Sequence, residues 1–145
     1  MILREATRPD LPFVLALLDD DGAVRAEATE AHERAFAAIE ADARNEMLVL
    51  ADGHEVVGCL QLTYIPGLGQ GGGERALVEA VRIRADRRGG GLGAELMRLA
   101  VERARGRGCG LVQLTSNKRR SAAHRFYERL GFARSHEGFK LHLEP

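Results

Sequence analysis

The chain has no tryptophan and little aromatic surface of any kind: five phenylalanines and two tyrosines make up 5% of its 145 residues. A surface that stacks nucleobases needs more than that, which argues against nucleic acid as a partner. Cysteine is scarce too. Cys59 and Cys109 are far apart, form no CxxC pair, and read as reduced, buried thiols of a cytoplasmic protein. No apolar run approaches the ~20 residues that a membrane helix needs, so no membrane partner is expected. Met1-Ile2-Leu3-Arg4-Glu5 meets charge at once, so no secretory signal is expected either. The histidines at 32, 54, 124, 136 and 142 lack metal-ligand spacing, and no metal is expected. Of the serines, Ser116, Ser121 and Ser135, none sits in Gly-x-Ser-x-Gly, so a serine hydrolase has no support.

Net charge is zero, but the balance is uneven along the chain. Residues 19–46 carry nine acids against three arginines, and residues 82–140 carry fifteen bases against five acids. Most of these charges belong on solvated helix faces. The basic half also suits a ligand that carries phosphate.

Glycine is abundant, at 17 residues, and one cluster is placed to bind phosphate. Arg88-Gly89-Gly90-Gly91-Leu92-Gly93 follows an apolar, β-branched run over 76–83 that predicts a strand. Behind it, Leu92, Leu96, Leu99 and Ala100 fall at i, i+4, i+7 and i+8, the apolar stripe of a helix. A glycine turn with an arginine therefore opens a helix directly after a strand. Amides without intrahelical partners sit there, at the positive end of a helix dipole. With no side chains in the way, a phosphate can approach them closely. We read this loop as a pyrophosphate cradle. Two other phosphate-binding patterns fit less well. A P-loop ends in Gly-Lys-Ser/Thr, whereas the second glycine cluster, 67–73, is followed by Glu74. The dinucleotide pattern fits formally as Gly89-x-Gly91-x-x-Ala94, but no acid between Glu102 and Glu128 is available for a ribose.

A third pattern, Arg/Gln-x-x-Gly-x-Gly/Ala, is matched by Arg88, Gly91 and Gly93. It resembles the coenzyme A loop of the GNAT acetyltransferases. The resemblance continues downstream. Asn117 follows the next predicted strand, and Ala123, Phe126, Tyr127, Leu130, Gly131 and Phe132 match the family's second motif. The two motifs cover roughly a third of the chain in the family's order and spacing.

At 145 residues the chain is read as one domain over 1–145 with a single core. Strands are predicted over 2–6, 46–51, 55–65, 75–84 and 110–116, with a turn at Asp52-Gly53. Helices are predicted from a Thr7-x-x-Asp10 capping box, from about Thr29, after the glycine loop, and over 119–130. The first buries Leu11, Val14, Leu15 and Leu18; the second buries Ala35, Phe36 and Ile39. A closing hairpin is expected from 132–135 and 139–143 around Glu137-Gly138. The order is that of an α/β (α+β) GNAT-type fold. The resemblance implies a mixed, mostly antiparallel sheet of six to seven strands with about four helices, splayed at the cofactor site.

The resemblance also implies roles. Backbone groups of the strand at 79–83, including Val81, Arg82 and Ile83, would hold the pantetheine arm, with the N–H near Val81 as oxyanion donor. Arg88, Gly89, Gly90, Gly91, Leu92, Gly93 and Ala94 would bind the pyrophosphate of acetyl-CoA, and Asn117 would reach the cofactor from the next strand. Tyr127 occupies the position that protonates the departing thiolate, and its phenol, with a pKa of ~10 against a thiol's ~8.5, suits that transfer. Phe126 falls among the cofactor-binding positions, although by residue type it reads as a core aromatic beside Leu130. Glu79, a lone carboxylate in an apolar strand, is the candidate general base if partial burial raises its pKa; an exposed or arginine-paired carboxylate, or a chain of waters, is the alternative.

The implied activity is transfer of an acetyl group from acetyl-CoA to a primary amine by direct attack in a ternary complex. The alternative is a non-catalytic acetyl-CoA sensor or interaction module. The acidic stretch 19–46 favours a cationic acceptor, small molecule or protein amine. A homodimer is compatible with the sequence, which by itself displays no strand edge or apolar patch.

Overall fold

Alternating apolar residues on both sides of Asp52 drive the centre of the chain into a long hairpin. Strand β2 (Asn45–Asp52) pairs antiparallel with β3 (Glu55–Pro66), Leu48 opposite Leu60 and Val49 opposite Cys59. The turn is Gly53-His54, one residue later than the sequence pattern predicts, and Gly53 takes the positive φ of 61°. Strand β1 (Ile2–Glu5) joins the free edge of β2, β4 (Glu74–Ile83) pairs antiparallel with β3, and β5 (Leu111–Leu114) completes the order β1-β2-β3-β4-β5. Gly110 N–H donates to the Glu74 carbonyl at 2.9 Å, which sets the start of β5 beside the start of β4. Such a neighbour needs a crossover, and α3 (Leu92–Arg107) supplies it. The other helices are α1 (Leu11–Asp19), α2 (Glu30–Ala41) and α4 (Ser121–Arg129). The result is the expected mixed, mostly antiparallel α/β fold with four helices.

These coordinates are a computed structural model describing residues 1–144, and the chain resolves into two compact units, Met1–Gln113 and the stretch from Leu114 onward. In the first unit both faces of the sheet are covered. Leu11, Val14, Leu15 and Leu17 of α1 and Phe36 of α2 form a cluster with Met47, Val49 and Cys59 on one face. By strand alternation Leu48, Leu50, Leu60 and Leu62 point to the other face, and α3 adds buried Leu96, Met97, Ala100 and Ala104. Gly58 is required by close approach: a Cβ there would lie 2.9 Å from Ile83 Cδ1 and 3.0 Å from the Arg82 carbonyl.

Polar groups pin the corners. Arg4 binds Asp10 through both carboxylate oxygens, at 2.7 and 3.0 Å, and the Thr7 N–H donates to the same carboxylate at 2.7 Å. Burial pushes the Asp10 carboxyl upward, but the hydrogen bonds from Arg4 and Thr7 outweigh it and hold the group below its ordinary value. Tyr64 is buried, donates its hydroxyl to Glu46, and carries the Arg107 guanidinium 3.9 Å above its ring. Arg103 forks onto the same Glu46 at 2.5 and 3.0 Å.

Several expectations are corrected. Residues 132–144 form no strand, so among the described residues the sheet has five strands rather than six or seven. Beyond Phe132 their backbone makes no hydrogen bond to another described residue, and an isolated short hairpin is marginal in water. Ala35 is exposed, because α2 turns only Phe36 and part of Ile39 inward. Cys59 is buried as predicted, with its thiol pushed up to about 12 by burial, but Cys109 is only half-buried. Among the described residues no helix is long and apolar enough to cross a membrane.

Candidate functional site

The strand leading to the glycine loop is irregular where the sequence reading places the oxyanion donor. Cys59 pairs with Arg82 and Gln61 with Glu79, so two steps along β3 answer three along β4. The extra residue is a β-bulge, and Ala80 and Val81 fall outside the register. Ala80 holds φ at +56°, a left-handed conformation that an L-residue adopts at a cost of about 1–2 kcal/mol. The buried Cys59 thiol donates to the Ala80 carbonyl at 3.6 Å from beneath. Past the bulge the chain re-engages, with Arg84 N–H donating to the Val57 carbonyl at 2.8 Å. Val81, Arg82 and Ile83 are half-buried, and Arg82 folds back to donate to the Val81 carbonyl at 2.9 Å.

The glycine loop follows within a few residues. Gly89 and Gly91 both take φ of +83°, and Gly91 is the N-cap of α3. That conformation is closed to β-branched side chains. The Gly91 carbonyl already accepts the first helical bond, from Glu95 at 3.1 Å. The N–H groups of Gly89, Gly90, Gly91, Leu92, Gly93 and Ala94 have no acceptor among the described residues. Nothing lies within 4 Å of where a Cβ would stand on Gly89 or Gly91. Six donors, three on exposed glycines and three on half-buried residues, at the positive end of a sixteen-residue helix fit a pyrophosphate.

Arginines ring the loop, each held by carboxylates. Arg84 binds Asp86 at 2.6 Å, Arg87 binds Asp52 at 2.9 Å, and Arg88 binds Asp20 at 2.8 Å and the Ile83 carbonyl at 3.0 Å. Arg88 and Asp20 are each about half exposed, so their pair is worth at most about 1 kcal/mol and Arg88 can turn to a phosphate cheaply. Glu79 is exposed. The partial burial that the sequence reading asked of a general base is absent, because strand alternation turns Ala76 and Val78 inward and leaves Glu79, still paired with Gln61, on the exposed face of β4. At the opposite end of β4, where the strand begins, the 66–73 connection borders a cavity of about 260 Å³ lined by Gly67, Gln70, Arg75 and Leu111 among others.

The second unit places the remaining predicted residues. Asn117 makes a turn that opens α4. Its Oδ1 accepts from the Arg119 N–H at 3.0 Å, and its carbonyl accepts from the Arg120 N–H at 3.0 Å and contacts His124 Nε2 at 2.9 Å. That turn delays the helix to Ser121, two residues later than predicted. Tyr127 is half-buried, edge-on to Phe126 with centroids 5.2 Å apart and to Phe132 at 6.0 Å. The Leu130-Gly131-Phe132 motif ends the helix. Gly131, at φ +100°, donates to the Glu128 carbonyl at 3.0 Å and Phe132 donates to the Tyr127 carbonyl at 3.1 Å, a Schellman stop. It fixes the backbone at Tyr127 and lays Phe132 against its ring. Two features went unread in the sequence: the His124 contact with Asn117, and the enclosed Ser116 hydroxyl, which has no hydrogen-bond partner among the described residues. Neither residue type signals such a role by itself.

A mixed, mostly antiparallel sheet with a bulged strand, a glycine turn and a helix opening on it define the class as an α/β fold. The chain matches the model of the acetyltransferase (GNAT) family over residues 9–132, and it belongs to that family. It is 31% identical to streptothricin acetyltransferase from Streptomyces lavendulae over 124 residues, 86% of this chain, and spans 59% of that relative's length. Two solved structures share the fold closely. A transcriptional regulator from Bacillus halodurans C-125 is 44% identical with a TM-score of 0.91, covering 98% of this chain and 99% of that one. An acetyltransferase from Trypanosoma brucei is 27% identical with a TM-score of 0.81, at 98% and 99% coverage.

Proposed function

We propose that this protein, as one domain, is an N-acetyltransferase that uses acetyl-CoA and a primary amine in a ternary complex. The observation that carries the reading is the run of six unpartnered amides at Gly89–Ala94, directly after the bulge at Ala80. Acetyl-CoA supplies the activated acetyl thioester; everything else is done by the chain. The cradle amides and Arg88 hold the pyrophosphate, and the strand through Arg82 and Ile83 lines up the pantetheine. The Val81 N–H, released from the β3 register, donates to the oxygen on which negative charge develops. Tyr127 gives its proton to the departing sulfur. The exposed Glu79, directly or through water, takes the proton that the amine must lose. Asn117 and Phe126 enter by their match to the family's second motif, and within the second unit they build the turn and the aromatic cluster around Tyr127.

For the acceptor we favour a cationic amine, given the nine acids of residues 19–46. The streptothricin acetyltransferase relative supplies one named substrate to include in a screen. The test is a thermal-shift titration with acetyl-CoA, CoA, NAD and ATP side by side. A ligand at 100 times its Kd stabilises the folded state by about 2.7 kcal/mol. A shift with acetyl-CoA and CoA alone is expected; no shift with either sinks the reading.

The name carried by the 44% identical Bacillus structure favours one second reading, a regulator that binds acetyl-CoA without turnover. Tyr127→Phe separates the two. Direct transfer predicts a fall in kcat on the order of 10²-fold with KM for acetyl-CoA unchanged. A regulator has no turnover to lose, so absence of acetylation across a broad amine library, with cofactor binding intact, would favour it.

A further inference from the structure

We infer that the cavity at the start of β4 binds the carboxylate of a small organic acid, gripped by Arg75 and by amides of the 66–73 connection. Arg75 is half-buried, yet its guanidinium has no carboxylate, carbonyl or ring as partner among the described residues. Every other arginine of Met1–Gln113 has one. Partial burial of a cation without a counter-charge costs free energy that a bound anion recovers. The guanidinium reaches the connection because Gly67 has no side chain: a Cβ there would stand 3.3 Å from Arg75 Nη1. The N–H groups of Gly67, Gly69 and Gln70, which line the same cavity, have no acceptor among the described residues. Gln70, Gly71 and Gly72 are consecutive left-handed residues, closed by bonds from Gly72 N–H to Gly69 and from Gly73 N–H to Gln70. Such a turn leaves its first amides over, as the first turn of a helix does, and successive backbone amides make an anion-binding concavity.

Glu74 also borders the cavity and selects the ligand. Arg107 binds its carboxylate at 2.7 Å and Arg44 approaches to 4.0 Å, so cations outweigh it. A monoanion facing the one unpaired guanidinium is matched. A phosphate dianion would set a second negative charge toward Glu74. The fork of a guanidinium takes a carboxylate through both oxygens, and the 260 Å³ beside Leu111 leaves room for a short carbon chain. Five residues separate Arg75 from Ala80, about 17 Å along an extended strand. An acid held at Arg75 is therefore remote from the bulge and is not the group acted on there. Nothing in this inference depends on the acetyltransferase reading.

Nuclear magnetic resonance on the isotope-labelled full chain tests it, with sodium propionate titrated at constant ionic strength. The amide signals of Gly67, Gly69 and Gln70 and the Arg75 Nε–H signal should shift together along one saturating curve. Inorganic phosphate should bind at these groups several-fold more weakly. Arg75→Gln should weaken propionate by about tenfold or more, and Arg75→Lys by about threefold, because an ammonium keeps the charge and loses the fork. Shifts that are absent at these four groups, or propionate affinity unchanged in Arg75→Gln, overturn the proposal. Tighter binding of phosphate than of propionate overturns the carboxylate assignment. Should Arg75→Gln misfold, the wild-type Arg75 Nε–H signal decides: one that stays still while the amides saturate overturns the role of Arg75.

Discussion

Strand β3 has two edges, and the chain treats them differently. Toward β2 it runs through Leu60 opposite Leu48 and Cys59 opposite Val49, residues shut off from solvent on both faces. Toward β4 the ladder skips at Ala80 and Val81, an alanine sits in the left-handed region, and six amides lie unpaired a few residues later. Strain and unmet donors of this kind persist only where the surroundings over-determine the backbone. The β2–β3 hairpin does that work here, with the Glu46–Tyr64–Arg103 network locking its open end. Rigidity on one edge of a strand lets the other edge remain unsatisfied, and an unsatisfied backbone is what a charged ligand can use.

Exchanging the roles of the two edges is the sharpest way to break that comparison. Leu60→Ala removes a fully buried side chain and should lower unfolding free energy by about 2–5 kcal/mol in denaturant melts. Measured on the protein that remains folded, CoA affinity should hardly change. Gly91→Val should do the reverse. It forces a β-branched residue to φ +83° and intrudes on the cradle, so CoA affinity by calorimetry should fall by about 100-fold or more, roughly 2.7 kcal/mol. Its stability loss should stay near 1–2 kcal/mol. If Leu60→Ala weakens binding as much as Gly91→Val does, the two edges are not separable.

Ala80→Gly sharpens the comparison at a smaller scale. Relief of the left-handed strain, partly offset by glycine's greater chain entropy, should raise stability by about 0.5–1 kcal/mol. Turnover should fall nonetheless, because the bulge no longer fixes the Val81 N–H. A thermal melt beside a steady-state assay reads both numbers. A variant that is more stable and equally active would show the strain to be incidental.

What the sequence disclosed follows the same division. Features written in local chemistry were legible: the hairpin around Gly53, the left-handed N-cap at Gly91, and the Gly131 stop that orders Tyr127 and Phe132. Features set by pairing between distant strands were not. Ala80 looks like any alanine in a strand, and only the register of β3 against β4 makes it a bulge. Glu79 reads equally well as a partly buried base or as an exposed carboxylate, and only the facing of β4, with Ala76 and Val78 inward, decides for the exposed one. The alternation at 139–143 reads as a strand, yet residues 132–144 form none, because whether such a segment finds a partner within the chain is not a local property.

The smallest effect concerns Arg88, the one cradle side chain with a formal charge, now bound to Asp20 just past the end of α1. A ligand phosphate and the Asp20 carboxylate compete for the same guanidinium. Asp20→Asn removes the competitor without emptying the space, so CoA affinity should rise, by no more than about fivefold for an ion pair worth up to ~1 kcal/mol. The gain should shrink as salt is added, because both partners are half exposed and screened. Stability should change by a few tenths of a kcal/mol. A fall in affinity would mean the opposite arrangement: Asp20 holds Arg88 ready beside the loop, and the carboxylate belongs to the binding site as the guanidinium's positioning partner.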